Sequence, residues 1–110
     1  MIISTIKVFA NTSNISEIVE VLSSVKGQVE GKTGCVSCLI LQEIDNDRNI
    51  IYEEKWKTQE QLNNHISSDL YRNILAVLDM SYRLPTVEFS TVSTIKGMEV
   101  IKVTRRYYEV

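Results

Sequence analysis

The sequence predicts an α+β domain of the ferredoxin-like kind, a βαββααβ sandwich followed by one extra C-terminal strand. Three observations predict it. Short stretches rich in β-branched residues alternate apolar and polar positions near both ends of the chain and in its middle, as strands do. Between them apolar residues recur at three- and four-residue steps, the spacing of a helix with one buried face. Size and composition close the argument: 110 residues, 44% hydrophobic and 24% charged, suit one folded core and exclude disordered, collagen-like and disulfide-scaffold chains.

From the N-terminus, Ile2 to Ala10 reads as a first strand, with Ile2, Ile6 and Val8 on one face and Ile3 and Phe9 on the other. Asn11-Thr12-Ser13-Asn14 offers turn chemistry, and Asn14 with Glu17 is a capping signature that starts a helix over Ile15 to Glu30. Its stripe is Ile15, Ile18, Val19, Leu22, Val25 and Val29, and Gly31 with Gly34 supplies the stop. Cys35 to Ile44 is apolar on both faces, which marks a strand buried on two sides. Asp45 to Asn49 is a polar hairpin loop. Ile50 to Lys57 then returns antiparallel, with Ile50, Tyr52, Glu54 and Trp56 on one face. Thr58 and Gln61 form a second capping box, opening a short helix through Leu62 and Ile66, and Ser67-Ser68-Asp69 caps a third helix carrying Leu70, Ile74, Val77 and Leu78. Pro85 ends helical structure, Val87 to Ile95 alternates as a fourth strand, and Met98 to Thr104 alternates again as a fifth.

Two crossing βαβ halves in this order place the helices on one sheet face and leave the other bare. A bare face carrying Cys, Val, Leu and Ile is an apolar patch of the kind that chains bury against a partner, so the sequence predicts a homodimer. Residues 1–96 then form the domain, and residues 97–110 a strand and tail that pair with the partner's sheet edge.

Twelve Lys and Arg against fourteen Asp and Glu, with no basic run longer than Arg105-Arg106, do not favour nucleic acid or an anionic membrane as partner. No window reaches the roughly 20 apolar residues of a membrane span, and the first residues lack a basic stretch followed by a long apolar core. The expectation is a cytoplasmic protein with a small ligand. Cys35 and Cys38 have the spacing of a redox pair or half a zinc knuckle. Residues three apart in a strand point to opposite faces, and one histidine is too few to complete a zinc site, so both are expected to be structural thiols, with no metal.

Tyr52-Glu53-Glu54-Lys55-Trp56-Lys57-Thr58, followed by Glu60, Leu62, His65 and Ser68, resembles the antibiotic biosynthesis monooxygenase family of dimeric α+β barrels. The likeness spans roughly residues 2 to 95 when the element order is included, and the spacing of Glu54, Trp56, Leu62, His65 and Ser68 anchors it. That family includes cofactor-free oxygenases of aromatic polyketides and quinols, haem-degrading enzymes and autoinducer-2 degradation proteins. The resemblance implies a ligand between the sheet and the helices of each subunit, with Trp56 and His65 beside it. Haem-degrading members carry a tryptophan where His65 aligns and a ligating histidine where this chain has Leu75, so no cofactor is expected. Members resembling the quinol monooxygenase often carry a second histidine just after the serine matching Ser68, a place taken here by Asp69-Leu70-Tyr71.

Two readings follow. In the first the chain is a cofactor-independent monooxygenase that oxidises a quinol or small hydroxylated aromatic with O₂. His65 is the candidate base, because an imidazole titrates near neutral pH and can take a phenolic proton, and Glu54 is its orienter. Trp56, Tyr52 and Tyr71 are the candidate substrate-binding residues, the first two as flat pocket walls. Tyr71, Tyr82 and Arg83 either close a pocket or lie in solvent, and Asn11 and Asn14 either orient a carbonyl or, for Asn14, serve the helix cap alone. In the second reading the chain is a non-catalytic dimeric module that binds a small ligand or serves as a scaffold, with His65 and Glu54 as a structural pair.

Overall fold

Each element of this computed structural model, which describes residues 1–108, follows from a local pattern in the chain. The order is β1 (Ile2–Phe9), α1 (Ile15–Val29), β2 (Cys35–Gln42), β3 (Asn49–Trp56), α2 (Gln59–Ile66), α3 (Tyr71–Met80), β4 (Thr86–Thr91) and α4 (Met98–Tyr108). The first seven form an antiparallel sheet of order β2-β3-β1-β4 with three helices packed on it, the ferredoxin-like α+β fold.

Alternation decides what the sheet buries. Ile2, Ser4, Ile6 and Val8 of β1 face the helices beside Ile50, Tyr52, Glu54 and Trp56 of β3, and all eight are buried. α1 covers them with Ile18, Leu22, Val25 and Val29, and α3 with Ile74 and Val77, which is the predicted stripe of each helix. Among the described residues no helix packs on the opposite sheet face. Leu39 and Leu41 of β2 are exposed there beside half-buried Ile3 and Ile51, so the bare face stands as predicted, and Cys35 to Ile44 is not buried on both sides within one chain.

Capping departs from expectation at two helices. Asn14 does not cap α1 through its side chain. Its Oδ1 accepts from the Asn11 N–H (2.9 Å) and its Nδ2 donates to the Met80 carbonyl (2.8 Å), tying the start of α1 to the end of α3. α3 likewise has no side-chain cap, because the Ser68 hydroxyl donates instead to the His65 carbonyl at 2.6 Å. Thr58 does cap α2, its Oγ1 accepting from the Gln61 N–H at 3.2 Å.

The two larger corrections lie in β2 and in the tail. Cys35 pairs with Trp56 and Cys38 with Glu54, because a bulge at Val36 inserts one residue between Cys35 and Ser37. Trp56 and Glu54 share the helix-facing side, so the bulge brings both cysteines to one face, where strict alternation predicted opposite faces. At the other end β4 stops at Thr91 rather than Ile95, and Met98–Tyr108 is a helix, not the fifth strand. Val100, Ile101 and Val103 fit either period. Glu99 settles the matter by accepting the Gly97 N–H at 2.8 Å while the Val100 N–H donates to the Gly97 carbonyl at 3.1 Å, which winds the first turn. Strand pairing by residues 98–108 with a partner's edge therefore has no strand to make it; residues 109 and 110 lie outside the described range.

Candidate functional site

Successive inward positions on a strand lie two residues apart, so Tyr52, Glu54 and Trp56 stand in a row beneath α2 and the two aromatics flank the carboxylate. The Tyr52 hydroxyl donates to Glu54 Oε2 at 2.5 Å and the Trp56 indole N–H to Oε1 at 3.0 Å. α2 completes the set: Leu62 anchors it in the core, and one turn on His65 points inward with its Nε2 2.9 Å from Glu54 Oε2. Its ring stacks on Trp56 with centroids 4.9 Å apart, and Tyr71 of α3 meets it edge-on at 5.2 Å.

The other imidazole nitrogen faces a lysine. Lys32, between the end of α1 and β2, brings Nζ to 3.0 Å from His65 Nδ1 and 3.1 Å from the Ser68 hydroxyl. An ammonium has only donors, so Nδ1 is the acceptor, and the neighbours assign the ring hydrogen to Nε2, from which it is donated to Glu54. Glu54, His65 and Lys32 thus form a line from a buried carboxylate, through a buried imidazole, to a half-buried ammonium.

Electrostatics follow from this packing. Burial pushes the Glu54 carboxyl up, but hydrogen bonds from His65, Tyr52 and Trp56 outweigh it and hold the group below the ordinary carboxylate value. The same burial, with Glu54 nearby, drives the Tyr52 and Tyr71 hydroxyls upward, so neither ionises near neutral pH. Burial also raises the Cys38 thiol to about 11, which keeps it protonated.

A cleft of about 540 Å³ opens above this line, and its walls include Lys32, Trp56, Thr58, Gln61, Asn64 and His65. One polar atom there is unanswered: Gln61 Oε1 is buried and accepts no hydrogen bond. The Gln61 amide lies over Gly34, whose φ of +92° and lack of a side chain leave room for it; a Cβ at that position would stand 2.1 Å from Oε1.

The structure brings His65, Glu54, Trp56, Tyr52 and Tyr71 into one cluster, but it turns most of them inward. His65 and Trp56 touch the cleft, whereas Glu54, Tyr52 and Tyr71 lie behind it in the core. Tyr82 and Arg83 belong elsewhere. Tyr82 meets Phe9 edge-on at 6.5 Å and the Arg83 guanidinium lies 4.4 Å from the same ring, at the end of β1 remote from Ile2, the residue that pairs with Trp56. Asn11 is at that far end too, where its Oδ1 accepts from the Ser13 and Asn14 N–H groups. Sequence reasoning missed Lys32, which stands 33 residues from His65 and reads in sequence as part of the helix stop Gly31-Lys32-Thr33-Gly34. No local signal marks it. Gln61 was legible as a capping residue and nothing more.

A search of curated proteins gave no match. Among solved structures, a conserved protein of Methanosarcina mazei superimposes with a TM-score of 0.76 at 20% identity, over 84% of this chain and 92% of that one. A Mycobacterium tuberculosis protein gives 0.78 at 16% identity over 87% and 98%. A Deinococcus radiodurans protein put forward as an antibiotic biosynthesis monooxygenase gives 0.80 at 13% identity over 88% and 97%. At such identities these likenesses establish the fold alone. Membership rests on the sequence itself: residues 1–77 match the family model for antibiotic biosynthesis monooxygenases, and the chain belongs to that family.

Proposed function

We propose that the chain binds a small hydroxylated aromatic, a quinol or phenol, in the cleft beside Trp56 and oxidises it with dioxygen without a cofactor. The observation that carries this reading is the line from Glu54 through His65 to Lys32, which fixes a cation at the edge of a cleft with an aromatic wall. A fixed ammonium favours the phenolate over the phenol, and the phenolate is the electron-rich form that gives electrons to O₂. Lys32 is thus the residue that meets the substrate oxygen. His65, expected as the direct base, acts through Lys32 by holding it, and Glu54 positions His65. For a hydroquinone the balance closes within the substrate: one oxygen atom is retained in a hydroxyquinone, the other leaves as water, and the quinol supplies all four electrons.

The completeness of the network favours a second reading. Both carboxylate oxygens of Glu54 and both nitrogens of His65 are engaged within the chain, as in a structural pair, and the cleft then binds a ligand without turning it over. An oxygen electrode run with a panel of quinols and hydroxylated aromatics separates the two. Oxygen uptake that Lys32→Met abolishes supports the monooxygenase; binding with no uptake supports the binding module, and no binding at all removes both.

The same reading includes a homodimer in a cytoplasmic setting. Two chains meet through the bare sheet faces carrying Leu39 and Leu41, and the two sheets close into one barrel.

A further inference from the structure

We infer that α4 is a peripheral membrane anchor: it lays its apolar face into an anionic lipid surface and holds the domain there. The inference is independent of what occupies the cleft. Whole-chain charge conceals a division. Residues 1–95 carry eight Lys and Arg against twelve Asp and Glu, a net of −4, whereas residues 96–110 carry four against two, a net of +2. The basic residues of the tail are Lys96, Lys102, Arg105 and Arg106.

Within α4 the β-branched residues gather on one face. At about 100° per residue Val100, Ile101, Val103 and Thr104 share one side, Lys102 and Arg106 lie on the opposite one with Met98 and Glu99, and Arg105 stands at the border. Among the described residues of that side Val100, Ile101 and Val103 are 44–63% exposed, and α4 makes no more than marginal contact with the sheet or the other helices. Eleven residues of helix are marginal in water without a surface to lie on. They span about 16 Å, too short to cross a bilayer but enough to lie along its interface.

Charge selects the occupant. An apolar strip inserted at the acyl boundary leaves Lys102, Arg105 and Arg106 at the level of anionic headgroups, which supplies the two signals, apolar burial and a basic patch, that stable surface binding requires. The net-negative domain is repelled by the same surface, so the tail alone makes contact and the cleft stays free. A helix packed by its apolar side on a second copy would leave Lys102 and Arg106 facing solvent.

The test uses the full chain sedimented with phosphatidylcholine vesicles, with and without phosphatidylglycerol, and watched by circular dichroism. The expected result is binding to the anionic vesicles alone, with a gain of helical signal. Lys102→Gln and Arg106→Gln each weaken it about fivefold, and Val103→Ser weakens it without changing charge. These positions are exposed, so the variants keep the domain's melting temperature. Three results overturn the inference: no binding to anionic vesicles; binding that Val103→Ser leaves intact, as a nucleic acid or any polyanion would give; or amides of α4 protected from exchange, without vesicles, in a concentration-dependent way, which means a second copy covers the helix.

Discussion

Lys32 and Glu54 share one imidazole: His65 accepts from the ammonium at Nδ1 over 3.0 Å and donates to the carboxylate from Nε2 over 2.9 Å. Neither charge can change without a change in what the ring between them faces. Lys32→Met removes the donor at the cleft while leaving the buried pair in place. It lowers affinity for a phenolate ligand by about tenfold or more, the scale of a charge-assisted hydrogen bond, and leaves the fold intact. Trp56, the one tryptophan of the chain, lines the cleft, so its fluorescence reports the titration directly.

Glu54 sets an acid limit on stability. Its carboxyl lies below the ordinary value in the folded protein, so its contribution is complete above the unfolded value near 4.5 and is lost as pH falls through the lower, folded value. Urea midpoints measured from neutral pH down to about pH 3 therefore fall most steeply below that unfolded value. His65→Phe leaves Oε2 without its imidazole donor and costs on the order of 3 kcal/mol at neutral pH, because a buried carboxylate has then lost a partner. A variant whose denaturation midpoint matched the parent's at every pH would show that the pair contributes nothing.

Gly34 is expected to be costly to replace, chiefly through its backbone. Gly34→Ala adopts a φ of +92° that alanine disfavours, which lowers stability, and it displaces the Gln61 amide, the movable end of a flexible side chain, which reshapes the cleft. A loss of about 1–2 kcal/mol is expected from the backbone alone. Gly34→Ala combined with Gln61→Ala relieves the clash but not the strain. The double variant's thermal melt should recover part of the loss, which distinguishes the two causes.

Leu39 tests the dimer. It is 44% exposed on the bare face, so Leu39→Lys leaves the single-chain core unchanged. If the faces meet, two buried like charges across the two-fold axis dissociate the pair, and sedimentation velocity over a range of concentrations shows a monomer where the parent shows a dimer.

The frame of the fold was legible because β1, α1 and β3 each repeat a single period long enough to read: Ile2, Ile6 and Val8; Ile18, Leu22, Val25 and Val29; Ile50, Tyr52 and Trp56. The tail was not, because Val100, Ile101 and Val103 satisfy a period of two and of 3.6 alike, and a hydrogen bond from Gly97 to Glu99 tipped the balance. The bulge at Val36 was invisible for a different reason: one inserted residue reverses the face of everything beyond it, and no residue type announces it. In the site, Tyr52, Glu54, Trp56 and His65 could be grouped because strand and helix spacing bring them together. Lys32 joins them only through the packing of α1 against β2, a relationship that tertiary structure alone supplies.

The bulge also bears on how the chain behaves when crowded. β2 is one edge of the sheet, and an unbroken edge is a template on which a second chain can add a strand. The extra residue at Val36 twists that edge out of register, and the opposite edge is a six-residue strand entered from Pro85 and interrupted by the charge of Glu88. The bulge blunts only the start of β2, because pairing from Ser37 to Gln42 is regular, and β4 pairs regularly from Thr86 to Thr91. Strand addition at either edge has no natural end, whereas the proposed contact between the flat faces would stop at two chains.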